Sequence, residues 1–331
     1  MLARRSLLVC ALVAGLSLAT VYDQYRGLIP ISPGKNPRVL VEELQVERNR
    51  ATLHGTNGDP WQYRVGSEAL AWLALRSATA AGFDEPAMVG FLGFRVLENA
   101  AIFALAWLLY RRFGAGRYAA ALGLALLAFA MTQAHYHSAL AFDTYAEIAV
   151  YLAAGLLIVS GRHAWIVPLT VVGTLNRETC GLVPIMLLAR GVQLGPRTPE
   201  GQRALRLGAL ALLAWGVTFW AVRWIVGPGP LIHPEGRDPG LDLLGLNLGR
   251  GLTWDHLFRT WTVVPLLAAL RWRAWPGPLR AFAVAVVPAW IALHLLLGVV
   301  AETRLMLVPY ALVFVPGAVC GLRSARTVAP R

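Results

Sequence analysis

The residues from which chemistry can be read are acidic and basic side chains lying in or beside apolar runs. Asp23 stands in VYDQY at the end of the first apolar run, and Asp59 precedes PWQYRV. Asp143 lies in SALAFDTYAEIAVYL, where the chain returns to apolar sequence. Arg177 and Glu178 interrupt LTVVGTLNRETCGLVPIML, and Glu302 and Arg304 open AETRLMLVPY. Arg95 and Glu98 are three apart in FRVLENA, a spacing that puts both on one helix face. A carboxylate in such a place can take a proton from an attacking hydroxyl. An arginine offers a planar, permanently charged fork suited to phosphate. Charge at membrane depth is costly and faces a cavity or a partner.

Each of these residues also has an ordinary structural use. A single interfacial Asp such as Asp23 serves as a solvated helix end, and Asp59 as a turn former before proline. Asp143 can cap the helix that follows it. Glu302 and Arg304 can anchor a span at the interface. Two readings stay open for Arg177 and Glu178: a pair that only stabilises one long bent helix, or an Arg177 that binds an anion. His135 and His137, two apart in QAHYH, do not face one ligand on a helix, and no thiolate stands near to complete a zinc site.

The elements that must position these residues are membrane helices. The 331 residues are 57% hydrophobic and only 15% charged, too little charge to cover a soluble domain of this size. The formal charge of +12 comes almost wholly from arginine, Lys35 being the only lysine. Those arginines cluster in short connectors between apolar runs, which is how membrane proteins fix orientation, so nucleic acid is not an expected partner. Cys10, Cys180 and Cys320 are far apart and give neither a disulfide framework nor a metal spacing.

Apolar runs predict an all-α, polytopic membrane helix bundle with about ten transmembrane helices, near 6–22, 88–110, 118–135, 144–160, 164–175, 180–190, 207–226, 256–270, 281–299 and 304–322. Residues 1–331 form one transmembrane domain. Segment 61–82 carries Arg64, Glu68 and Arg76 and reads as a helix lying in the interface. With that assignment every short arginine cluster falls inside, both termini are cytoplasmic, and the protein is a multi-pass component of the inner (plasma) membrane. Residues 23–87 then form an outer loop with juxtamembrane helices, one of them within VLVEELQVERNR. Residues 227–255, rich in Gly and Pro, form a second outer loop, irregular or lid-like. The arms around Arg177 are short, about 18 Å each at 1.5 Å per residue, so Asn176–Thr179 is expected below the outer surface. On this topology His54, Asp59, Asp143, Arg177, Glu302 and Arg304 all collect on the outer side. That predicts an outward-facing polar cavity.

The order of these features resembles the GT-C class of membrane glycosyltransferases, which includes the protein mannosyltransferase-like and aminoarabinose transferase-like enzymes. Asp23 stands where that class carries an Asp just beyond the first span, and GDPWQYRVGSEALAWLAL is similar to its Pro- and Tyr-containing run into a helix. HSALAFDTYAEIAVYL, with Asp143, is similar to its acidic segment at a membrane re-entry. GTLNRETCGLVP is similar to its short helix pair broken by a basic residue, here Arg177. ETRLMLVPY matches its Glu-x-Arg motif through Glu302 and Arg304. The resemblance spans most of the chain. Two positions depart from the pattern: Gln24 replaces the second acid after the first span, and Leu305 the aromatic residue after the Arg.

The resemblance implies transfer of a sugar from a polyprenyl-phosphate donor, a lipid-linked sugar, to a cell-envelope glycan, lipid or protein acceptor, among membrane lipids. Asp23 would act as general base, with Asp59 the second catalytic acid. Arg177 and Arg304 would neutralise the departing phosphate. Asp143, Asp59 and His54 would orient the acceptor or a divalent cation, and Glu178 and Arg95 would complete the binding set. The same polar cavity also suits a transporter or lipid flippase, or a non-catalytic relative of the glycosyltransferases.

Overall fold

A computed structural model of the chain describes residues 2–28, 36–134, 140–320 and 322, with side chains from residue 7 onward. His135 and His137 lie outside the described residues. Among those described there is no strand, and one isolated backbone pairing joins Asp59 to Leu231. The protein is all-α.

The chain opens with α1 (Leu2–Arg26). A helical run in the first loop follows, α2 (Pro37–Val39), a wider π turn over Leu40–Gln45, and α3 (Val46–Leu53), in line with the juxtamembrane helix expected over VLVEELQVERNR. Next come α4 (Val65–Ala80), α5 (Pro86–Arg112), α6 (Arg117–Gln133) and α7 (Phe142–Val159). Then α8 (Ile166–Asn176) and α9 (Leu182–Leu194) are separated by a tight turn over Glu178–Gly181. The helices α10 (Pro199–Val226), α11 (Leu241–Gly249), α12 (Gly251–Trp261), α13 (Val264–Leu270) and α14 (Gly277–Leu297) lead to the last segment, α15 (Leu307–Pro309) and α16 (Val315–Val319), joined by a π turn over Tyr310–Phe314. Local chemistry sets the ends. At α10, Thr198 Oγ1 accepts from the Gly201 N–H with Pro199 at the first helical position, and Gly227 closes the helix at φ +83°.

Five stretches are long and apolar enough to cross a membrane: Leu7–Arg26, Pro86–Arg112, Phe142–Val159, Pro199–Val226 and Gly277–Leu297. They mark the chain as a membrane protein. Helix α4 is not among them. It packs on α5 through Ala71, Leu75 and Ala78 and leaves Leu70 and Leu73 exposed. Gly90 permits that packing, because a Cβ there would lie 2.6 Å from Leu75 Cα.

Two segments differ from expectation. The span expected over 256–270 is broken, with Thr262 at φ +50° between α12 and α13. Pro265 explains the break, since it has no N–H to continue the helix through Trp261. The loop 227–255 is not irregular throughout. It contains α11, and buried Asn247 donates to the Leu295 and Gly298 carbonyls and accepts from the Val300 N–H, tying this segment to the end of α14.

Hydrogen bonds between connectors separate two groups of helix ends. One end carries the connectors with Arg111, Arg190 and Arg271, held by Arg111 to the Ala115 carbonyl, Gln193 to Gly277 and Arg271 to Cys320. The start of α7, the α8–α9 break and the turn before α15 meet at the other end. The charged cluster forms there.

Candidate functional site

Helix α7 supplies the floor. Asp143, Thr144 and Glu147 lie in its first turns, all buried, and the i,i+4 spacing of the two acids turns them to one side. Helix α8 stops at Asn176, and Arg177 is extended at φ −155°, ψ 140°. That break aims the Arg177 side chain at α7. Its Nη1 lies 2.9 Å from Glu147 Oε2 and donates to Thr144 Oγ1 at 3.3 Å, and its Nε is 3.8 Å from Asp143 Oδ2. Asn176 holds the same corner by donating to the Asp143 carbonyl at 2.7 Å.

Arg64, just before α4, bridges the two sides of this corner. Its Nη1 is 3.0 Å from Asp143 Oδ2 and its Nη2 is 2.8 Å from Glu178 Oε1. Arg304, in the turn over Thr303–Met306, donates to the same Thr144 hydroxyl at 3.2 Å and pairs with Glu302 at 2.6 Å. Glu147 also accepts from Thr179 Oγ1. The turn itself is held by Tyr151 donating to the Thr179 carbonyl and Trp215 Nε1 donating to the Glu178 carbonyl.

The cluster therefore sets Arg64, Arg177 and Arg304 against Asp143, Glu147, Glu178 and Glu302. Removing so many charges from water is tolerable only because each meets an opposite charge. Burial works to raise the Glu178 carboxyl, but the Arg64 and Arg177 charges outweigh it and hold Glu178 below its ordinary range. Burial likewise opposes the Arg64 charge, and Glu178 and Asp143 overcome it, leaving the guanidinium more firmly protonated than usual. The hydrogen-bonding capacity is not exhausted. Asp143 Oδ1 and the Nε atoms of Arg64, Arg177 and Arg304 are buried with no hydrogen-bond partner among the described residues. A buried polar atom in this state is a place for a polar ligand or water.

A second charged group flanks the first. Arg95 pairs with Glu98 at 3.0 Å, its guanidinium 4.1 Å from the Tyr145 ring centroid and 4.9 Å from that of Phe142. Asn99 donates to Thr20 and Gln24 of α1, and the Gln24 side chain lies close to the Tyr145 hydroxyl. Asn49 of α3 donates to the Glu68 carboxylate of α4 at 2.6 Å. Burial raises the Glu68 carboxyl even though Arg48 and Asn49 act to lower it.

Of the residues expected to form the site, Asp143, Arg177, Glu178 and Arg304 come together, and Arg95 lies beside them. Asp23 is half-buried in the last turn of α1, one residue from Gln24. His54 is exposed at the end of α3. Asp59 is half-buried where its backbone N–H donates to the Pro230 carbonyl and its carbonyl accepts from the Ile232 N–H. The pairing of Arg177 with Glu178, one of the two readings of that motif, takes a different form here: Arg177 turns to Glu147 and Asp143, and Glu178 turns to Arg64. Sequence reading missed Arg64, Thr144 and Glu147. In the sequence Arg64 counts only as a charge against a span over 61–82. The signal for Glu147 was there, an acid one turn beyond Asp143 in an apolar run.

Among the described residues no group of three or more His, Cys, Asp or Glu side chains is arranged to hold a metal ion. The acids of the cluster instead face arginines, an arrangement that does not fit a divalent cation. Comparison of the chain with protein-family models, with curated proteins and with solved structures finds no match in any of the three. The class that the fold defines is thus an all-α membrane protein with a buried arginine–carboxylate cluster at one end of its bundle.

Proposed function

We propose that the chain is a GT-C-like membrane glycosyltransferase, moving a sugar from a polyprenyl-phosphate donor to a cell-envelope acceptor at the outer face of the membrane. In this reading it crosses the inner membrane about ten times, the shorter apolar helices adding to the five long ones, with both termini in the cytoplasm. The observation that carries the reading is the convergence of Arg64, Arg177 and Arg304, from three separate segments, on Asp143 and Thr144 of α7, with unmet hydrogen-bonding capacity at its centre.

The chemistry follows from charge. The acceptor oxygen attacks the anomeric carbon, the bond from that carbon to the phosphate oxygen breaks, and the electron pair leaves with the phosphate. Arg177 and Arg304 meet the growing negative charge. Glu147 and Asp143 hold Arg177, and Glu302 holds Arg304, in place beforehand, which limits the reorganisation needed during reaction. Asp23 takes the acceptor proton. Gln24 beside Tyr145, next in sequence to Thr144, supports the nearness of that end of α1 to the cluster. Asp59 and His54 lie on the loop side, where an acceptor would enter. No step is drawn through a divalent cation. In a glycan-transfer assay, Asp23→Asn should lose nearly all turnover while the protein stays folded. Full turnover in that variant removes the base assignment.

One observation favours a second reading, a non-catalytic relative. Every arginine of the cluster already has a carboxylate within ion-pair distance, so the group as it stands holds no spare positive charge. A phosphate would have to displace Glu302 or Glu147 from its arginine. Lack of any sugar release by purified protein supplied with several lipid-linked donors would favour this reading.

A further inference from the structure

The lipid-facing side of α10 carries a second polar feature, independent of the cluster. Arg223 lies one turn from the end of that helix, its guanidinium centre 3.6 Å from the Phe219 ring centroid and 4.4 Å from that of Tyr63. Tyr63 is fixed there by donating its hydroxyl to the Gly227 carbonyl. Among the described residues no carboxylate pairs with Arg223 and nothing accepts a hydrogen bond from it. Stacking uses the faces of the guanidinium plane and leaves its in-plane N–H groups without a protein partner.

Arg223 lines a cavity of about 610 Å³ with Tyr63, Trp220, Trp224 and Pro228. Trp220 also lines a second, apolar cavity of about 820 Å³, walled by Leu188, Leu212, Leu213 and Val217. The two cavities meet at Trp220, so a cation in one adjoins the apolar wall of the other. Trp220 and Trp224 are 70% and 90% exposed, and tryptophans in that position on a spanning helix mark the level of lipid headgroups. Phosphates lie at that level.

We infer that this pair of cavities binds an anionic glycerophospholipid, its phosphate on the Arg223 N–H groups and an acyl chain along the Leu188–Val217 wall. Charge selects the occupant. A lone guanidinium at headgroup depth favours a lipid with net negative charge over a zwitterionic one, whose own cation competes for the phosphate. The inference does not rest on sugar transfer, and either can fail without the other.

The test is native mass spectrometry of the delipidated full-length protein titrated with phosphatidylglycerol or phosphatidylcholine. Wild type should retain phosphatidylglycerol roughly ten-fold better, the scale of one charge-assisted contact. Arg223→Gln should erase the preference. Val217→Trp, which fills the apolar wall and leaves the charge, should lower retention of phosphatidylglycerol; it carries the test alone should Arg223→Gln fail to fold. Equal retention of both lipids by wild type, or an undiminished preference in Arg223→Gln, would each overturn the inference.

Discussion

Arg64 and Asp143, 79 residues apart in the chain, meet with Nη1 3.0 Å from Oδ2, while the other arm of the same guanidinium reaches Glu178 at 2.8 Å. One side chain thereby ties the first loop to α7 and to the break between α8 and α9. Arg64 and Asp143 are both buried, so Asp143 cannot exchange this partner for water without local opening, whereas Glu178 keeps some contact with solvent.

Loss of Arg64 should therefore be costly. Arg64→Ala leaves Asp143 and Glu178 short of a counter-charge, and breaking a buried pair from one side costs about 3–5 kcal/mol. Thermal unfolding in detergent should show that loss, and Arg64→Lys should recover part of it, since lysine keeps the charge but not the two-armed fork. A change below about 1 kcal/mol would contradict the bridging role assigned to this residue.

Acid should weaken the same corner. Glu178 is held below the usual carboxylate range in the folded protein, because Arg64 and Arg177 outweigh burial. The folded-state value is lower than the unfolded one, so the stabilisation is complete above the unfolded value, about 4.3. It is lost as pH falls through the folded value. Measured against pH, the thermal midpoints of wild type and Glu178→Gln should lie apart at neutrality and approach each other below about pH 4. A gap of constant size down to strong acid would mean that the Glu178 charge contributes nothing.

Packing of α4 on α5 can be tested without touching a charge. A Cβ at Gly90 would lie 2.6 Å from Leu75 Cα and 2.8 Å from its nitrogen, a clash with backbone that no rotamer relieves. Gly90→Ala should push α4 outward and cost about 1–3 kcal/mol. Unfolding of the purified variant checks it, and a variant as stable as wild type would show that the two helices pack less closely than this.

How much of this was open to sequence reading follows from what each signal depends on. The long helices were legible because apolar length is a local property. Arg177 and Arg304 were legible because charge within apolar sequence is rare and expensive. The break before Arg177 was legible too, from the shortness of its flanking arms. Arg64 was hidden because its value lies in partners 79 and 114 residues away, which no local pattern encodes. Thr144 was hidden for a similar reason: it matters only because two arginines from distant segments share its hydroxyl. The broken span at Thr262 had a local cause in Pro265, which the apolar count passed over.

The most direct test of sugar transfer is to supply the purified protein, in liposomes, with a radiolabelled polyprenyl-phosphate sugar and to follow the fate of the label. The account predicts that wild type separates sugar from lipid phosphate, and that Arg177→Gln and Arg304→Gln, at equal amounts of folded protein, lower the rate by roughly a hundred-fold or more, the usual scale for losing one donor to a developing negative charge. Label that stays on intact lipid, or that crosses the bilayer chemically unchanged, would contradict it.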